Sequence, residues 1–238
     1  MKKPRKLIDI VIPFNNECEN LKILLPKILK VLKNIKFFRF RIVFIDDGSI
    51  DGGNLIINSY KKKNKNIFLI TNFKKSGQTY SYKKYLEKFK SKFFIRMDAD
   101  NQDDPKYIIP ILKLVAKNYD LILTTRTGRQ HSLHMIILTH LYNKLISLLV
   151  KKKLNNYSSS LVCFRRKLIS YENLILNDHR YLPIIAIDNG ATKIKNFQII
   201  HKKRIYGNTK YNILKKIIFA LPEFLYLFYR LKRGYYKI

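Results

Sequence analysis

Carboxylates are scarce in this chain. Its 238 residues hold 16 Asp and Glu against 48 Lys and Arg, a formal net charge of +32. Two cysteines, Cys18 and Cys163, cannot build a disulfide framework, so a reduced, cytoplasmic setting is expected. No run reaches the roughly 18 uncharged apolar residues of a membrane-spanning helix. The basic start, Met1-Lys-Lys-Pro-Arg-Lys6, leads into a short apolar run with neither the core nor the cleavage site of a signal peptide. No linker rich in Pro, Gly or Ser and no internal repeat divides the chain, which excludes an array and favours one domain. Yet 47% of the residues are hydrophobic and 13% aromatic, too many for a disordered basic tail. A folded and very basic protein points to nucleic acid, an anionic membrane or phosphorylated substrates as partners.

Where the few acids sit narrows that choice. Seven of the 16 fall into two clusters: Asp46, Asp47 and Asp51, then Asp98, Asp100, Asp103 and Asp104. Residues 1–120 carry a net +14. The remainder carries +18, with only Glu172, Asp178, Asp188 and Glu223 as acids. Solubility does not require such clustering, whereas a cation site would.

Both clusters follow short apolar runs, 40–45 and 93–97, and similar runs occupy 8–12, 67–71 and 120–124. These are expected as buried strands. Helical spacing occupies 19–34, 53–63, 79–90 and 105–118; Pro105 suits a first turn, with Asp103 and Asp104 near the positive end of the dipole. Pro26, inside the first helix, predicts a kink or a late start. Strand and helix alternate five times, so the expected fold is α/β, with a mostly parallel, twisted sheet flanked by helices. In such sheets ligands bind beyond the carboxyl ends of the strands, where both acid clusters lie. Asp98 and Asp100 leave one strand end on the same side and together can hold a hard divalent cation.

Asp98-Ala-Asp-Asn-Gln-Asp-Asp-Pro105 resembles the "DADLQxPP" segment of family 2 glycosyltransferases that act on polyprenyl phosphates, the dolichol-phosphate mannosyltransferase group. Further segments match in order. Ile12-Pro-Phe-Asn-Asn-Glu17 resembles "PxYNE", Ile45-Asp-Asp-Gly-Ser49 with Asp51 resembles "VDDGSxD", and Asn72-Phe-Lys-Lys-Ser-Gly-Gln78 resembles the "NxGQ" loop. Asn156-Tyr-Ser-Ser-Ser-Leu-Val-Cys-Phe-Arg-Arg166 resembles "DTGCGLKxFRR", with Asn156, Ser158 and Ser160 departing from the pattern. His179-Arg-Tyr-Leu-Pro183 resembles "HRFxP", and His201-Lys-Lys-Arg-Ile-Tyr-Gly-Asn-Thr-Lys-Tyr211 resembles "HxPRxxGxSKY".

The resemblance implies a single domain of the GT-A type over 1–210. The tail over 211–238, an apolar and aromatic stretch between basic flanks, is expected as an amphipathic helix at a membrane interface, with core packing as the competing reading. It implies Mg²⁺ or Mn²⁺ held by Asp98, Asp100 and Gln102. A GDP- or UDP-linked sugar would be bound by Pro13, Glu17, Asp46, Asp47, Ser49, Asp51, Gly77, Gln78 and Asp98. Arg126, Arg204 and Lys210 would face the phosphates, Asp98, Asp100, Arg126 and Arg204 being the catalytic set. His179 and His201 are expected to pack or orient. The implied partners are a nucleotide sugar, a polyprenyl phosphate and an anionic membrane surface, with no nucleic acid. The implied place is the cytoplasm, peripheral on the inner face of the membrane. Two other readings stay open: transfer to a sugar hydroxyl on the same fold, and nucleic-acid binding by charge alone.

Overall fold

The computed structural model describes residues 5–127, 144, 147, 159–175, 177–202, 206 and 213–238, the side chains of 213–221 excepted. A run of alternating strands and helices opens the chain: β1 (Lys6–Phe14), α1 (Cys18–Lys33), β2 (Phe38–Asp46), α2 (Gly53–Lys63), β3 (Ile67–Thr71), α3 (Gln78–Lys88) and β4 (Phe93–Arg96). A 3₁₀ turn, Pro105–Tyr107, leads into α4 (Ile108–Ala116) and β5 (Leu121–Thr127). After them come β6 (Val162–Arg165), α5 (Leu182–Asp188), β7 (Ile194–Ile200) and α6 (Ile213–Lys232). The expected α/β sandwich is therefore present, with α2 where helical spacing put it.

The strands form one seven-stranded sheet in the order β3-β2-β1-β4-β6-β5-β7. β1 pairs in parallel with β2 and β4, β2 with β3, and β5 with β7. β6 is the exception, antiparallel to both β4 and β5. Both faces are covered, which is why the inner strands read as unbroken apolar runs rather than alternating ones. Ile8, Ile10 and Ile12 of β1 pack with Leu21, Leu24 and Ile28 of α1, while Val11 faces the opposite core with Tyr82, Tyr85 and Phe94.

Pro26 does not delay α1, which starts at Cys18 and carries the proline within it. Pro26 is exposed, and its ring removes the N–H that the carbonyl four residues before it would otherwise accept. Of the two acids expected at the next helix start, only Asp104 caps it, accepting from the Lys106 N–H. Asp103 turns away and forms a bridge with His201.

The second half of α6 packs on the body: Phe224, Leu227 and, beyond the helix, Tyr236 join the core that holds α3 and α5. Arg230 and Asp178, both buried, form a two-point ion pair at 2.9 Å for each bond. Leu225, Tyr226 and Tyr229 remain exposed along the same stretch. Among the described residues no helix is long and apolar enough to cross a membrane.

Candidate active site at the carboxyl ends of the strands

The ends of β1, β2 and β3 place one group of predicted residues at a single corner. Pro13 lies in β1 opposite Ile45, and Glu17 precedes α1, where its Oε2 accepts from Asn20 Nδ2 at 2.5 Å. Asp46 Oδ1 accepts from the Ser49 N–H at 2.8 Å, and Ser49 Oγ accepts from the Asn16 N–H at 3.0 Å. Asp51 serves two helix starts at once, accepting from the N–H of Cys18 at 2.7 Å and of Gly53 at 3.0 Å. Anionic side chains are favoured at both positions by the unpaired amides of a first turn.

Asp47 joins this corner to the third loop. One of its oxygens accepts from Asn72 Nδ2 and the Ser76 N–H, and the other from the Gly77 N–H, at 2.8–2.9 Å. Both oxygens are thus occupied by the 72–77 loop. Gly48 lets that loop approach: its φ is +71°, and a Cβ there would sit 2.6 Å from the Lys75 nitrogen. Gly77 (φ +90°) and Gln78 open α3. The loop thus hangs from Asp47 and rests on a glycine.

β1 lies between β2 and β4, so the second acid cluster flanks the same corner. It is tied there by Asn101, in the left-handed region at φ 59°, whose Nδ2 donates to the Asn20 carbonyl at 2.8 Å. Asp100 accepts from the Gln102 N–H, and Gln102 Nε2 donates to the Lys202 carbonyl. Asp98 is only partly exposed. Desolvation first, and then the charge of Asp100, push its carboxyl up to about 6 against the pull of Arg96 and Arg126. Among the described residues no cluster of three His, Cys, Asp or Glu could hold a metal. What exists is a pair of carboxylates close enough for the charge of Asp100 to act on Asp98. That donor set fits Mg²⁺ or Mn²⁺, which keep waters and substrate phosphates around one or two carboxylates.

Arg126, near the end of β5, is close enough for its charge to act on Asp98. Its Nη2 donates to Ser160 Oγ and lies 3.7 Å from Asp103 Oδ2. Asp103 also accepts from Ser160 Oγ and pairs with His201 Nδ1 at 2.9 Å. Burial works to raise Asp103, but the His201 hydrogen bond, the Arg126 charge and Ser160 hold it below the ordinary carboxylate range. His201 is thereby held against Asp103. His179 has its Nδ1 2.9 Å from Thr79 Oγ1 at the start of α3. Burial, then Arg96 and Arg180, push its imidazole down to about 3.

Arg204 and Lys210, expected over the phosphates, lie outside the described residues. Reasoning from sequence placed Asp103 in the acid cluster and Ser160 in a matched motif without giving either a role, and it missed Arg96, whose signal is one charge in an otherwise apolar strand run.

Three comparisons bear on this arrangement. The model of "Glycosyl transferase family 2" matches residues 9–171. An undecaprenyl-phosphate 4-deoxy-4-formamido-L-arabinose transferase of Photorhabdus laumondii is 26% identical over 213 residues, covering 89% of this chain and 65% of that protein. Its counterpart in Pectobacterium carotovorum is 28% identical over 216 residues, covering 89% of this chain and 64% of that protein. The chain therefore spans just under two thirds of the length of these curated relatives. Among solved structures, glucosyl-3-phosphoglycerate synthase of Mycobacterium tuberculosis, in complex with Mn²⁺, UDP and phosphoglyceric acid, superposes with a TM-score of 0.65 at 13% identity, covering 89% of this chain and 73% of that one. Mannosyl-3-phosphoglycerate synthase of Rubrobacter xylanophilus superposes equally well, at 0.65 and 13%, over 92% and 72% of the two chains.

Proposed function

The chain belongs to glycosyl transferase family 2, and from that premise we infer that it moves a sugar from a GDP- or UDP-linked donor to a polyprenyl phosphate. The observation that carries this reading is the pairing of Asp98 with Asp100, within reach of the charge of Arg126. In this reading Pro13, Glu17, Asp46, Ser49, Asp51, Gly77 and Gln78 form the nucleotide corner. Asp47 acts by fixing the 72–77 loop. Asp98, Asp100 and Gln102 would hold Mg²⁺ or Mn²⁺, which supplies positive charge for a diphosphate leaving group.

Departure of the nucleoside diphosphate concentrates negative charge beside Arg126, whose guanidinium, together with Arg204 and Lys210, stabilises it. Direct attack from the opposite face inverts the anomeric centre. The nature of the attacking group follows from where the acids are. A hydroxyl acceptor needs a general base, but the sequence holds no Asp or Glu between Asp120 and Glu172 or between Asp188 and Glu223. Asp103, next to Arg126, is already engaged by Ser160 and His201. A phosphate monoester has its second pKa at about 6 and needs no base. The curated relatives are named as undecaprenyl-phosphate transferases, which supports the same acceptor class. A lipid acceptor implies work at the inner face of the cytoplasmic membrane, with the basic surface held by anionic headgroups.

Nucleotide sugars with radiolabelled hexose or pentose, offered with polyprenyl phosphate or with oligosaccharides, test this. Label in the lipid-phosphate fraction is expected. Label only in the oligosaccharide would replace this acceptor with a hydroxyl. Salt-dependent DNA retention with no sugar transfer would favour the nucleic-acid alternative. Flotation with anionic liposomes is expected at low salt and lost at high salt, and absence of binding at low salt would remove the membrane-surface part.

A further inference from the structure

β4 reads Phe93-Phe-Ile-Arg96, and all but Arg96 are apolar core. Arg96 is 6% exposed. Taking a guanidinium out of water at that depth is costly unless its charge or its donors are matched. Among the described residues Arg96 makes no ion pair, and its donors go to three carbonyls instead. Nε donates to Ser160 O at 3.3 Å, Nη1 to His179 O at 2.5 Å, and Nη2 to Ser159 O. Ser159 and Ser160 lead into β6, and His179 lies in the turn Asp178–Arg180 before α5. One buried side chain thus fastens two distant segments to the strand that runs into Asp98.

The Ser159 and Ser160 segment also carries the contacts that aim the site. Ser160 Oγ receives Arg126 Nη2 and donates to Asp103. Ser159 Oγ meets Thr124 Oγ1, two residues before Arg126 in β5, and Thr124 Oγ1 donates to the Leu161 carbonyl. The path from Arg96 to Arg126 is therefore one backbone segment held by its carbonyls on one side and by its hydroxyls on the other.

We propose that Arg96 is a positioning residue: it holds the Ser159 and Ser160 carbonyls so that Ser160 keeps Arg126 and Asp103 in register beside Asp98 and Asp100. The assignment rests on the sugar-transfer reading above. The planar fork of arginine reaches three carbonyls at once, while lysine brings the charge without the fork and methionine fills the volume without any donor.

The full chain carrying Arg96→Met, Arg96→Lys, Ser160→Ala or Arg96→Met with Ser160→Ala tests this, with thermal midpoints used to keep every assay on folded protein. Displacing a phosphate-facing arginine by about 1 Å costs on the order of 100-fold in rate. Arg96→Met is therefore expected to lower kcat about 100-fold while the donor KM moves less than about threefold, since the nucleotide corner hangs from other contacts. Arg96→Lys is expected to recover part of the rate. The double variant is expected to fall no further than Arg96→Met alone, because both changes act through Ser160. Unchanged kcat in folded Arg96→Met, or losses that multiply in the double variant, would overturn the proposal. If the unaltered chain transfers no sugar, it is the functional reading that fails. Hydrogen exchange then decides the positioning role: faster exchange over 159–162 in Arg96→Met upholds it, and unchanged protection there overturns it.

Discussion

Replacing Arg230 with methionine isolates the contact that docks the C-terminal helix. Asp178 is fully buried and Arg230 is 4% exposed, and they meet through two hydrogen bonds of 2.9 Å. Asp178 Oδ2 also accepts from the Ile175 N–H and the Tyr236 hydroxyl, each at 2.9 Å. The Arg230 guanidinium lies over Tyr226 at 4.6 Å and Tyr236 at 5.0 Å. Methionine conserves most of the volume and removes the charge, so the carboxylate keeps two neutral donors but loses its counter-ion. Removing one member of a buried pair costs about 3–5 kcal/mol, a large share of the roughly 5–15 kcal/mol that holds a domain folded. In guanidinium chloride, where slopes run at roughly 2–6 kcal/mol per molar, the midpoint should drop by about 1 M. Replacing both members, Asp178→Leu with Arg230→Met, should recover part of the loss, because no buried charge is then left alone although the Ile175 N–H and the Tyr236 hydroxyl lose their acceptor. A single variant within about 1 kcal/mol of the parent, or single losses that simply add in the double variant, would refute the pairing as the anchor of α6.

Two further outcomes follow from the site. Gly48→Ala adds a Cβ that would meet the Lys75 nitrogen at 2.6 Å in a left-handed backbone of φ +71°. Strain of about 1 kcal/mol and overpacking of about 1–3 kcal/mol are expected together, along with weaker titration of UDP or GDP. A stability change below about 0.5 kcal/mol would contradict the close approach of the two loops. His179 sets part of the acid limit. Its folded value of about 3 lies below the ordinary 6.5, so between these the unfolded chain binds a proton that the folded chain refuses. Stability from this group is complete above pH 6.5 and is lost as pH falls toward 3. Denaturant unfolding at pH 7 and pH 4 should show His179→Gln less acid-sensitive by up to about 3 kcal/mol; an unchanged difference would count against a neutral, partly buried imidazole.

The part of the fold that was legible in the sequence is the part whose signal is local. Five strand runs and four helices were readable because apolar periodicity reports burial directly, and both acid clusters fell at strand ends as the parallel arrangement requires. The antiparallel β6 and the edge strand β7 were not read as strands. At four residues β6 is too short to show a period, and β7 carries Lys195, Asn196 and Gln198 among its apolar positions. Asp103 shows the same limit in a single residue. Its place before Pro105 suggests a helix-start acid, but Asp104 alone makes the capping bond. Asp103 gains more from His201, Ser160 and Arg126, which come from far along the chain. Arg96 betrayed itself only as a charge in a core strand, with no way to tell from sequence that its partners are carbonyls. For α6 the amphipathic pattern was visible, but a buried apolar face reads alike whether it meets a membrane or the core. The Asp178 contact is what favours the core for the half that holds Arg230.

The central claim is that Asp98 and Asp100 carry a divalent cation that sugar transfer requires. The direct measurement is the rate of transfer to polyprenyl phosphate in Mn²⁺, in Mg²⁺ and after chelation, for the parent chain, Asp98→Asn and Asp100→Asn. Each substitution keeps the shape and removes one anionic ligand, so a loss of about 100-fold or more is expected, with activity of the parent abolished by chelation and restored by either metal. Transfer at near-parental rate in either variant, or undiminished by chelation, would contradict the account.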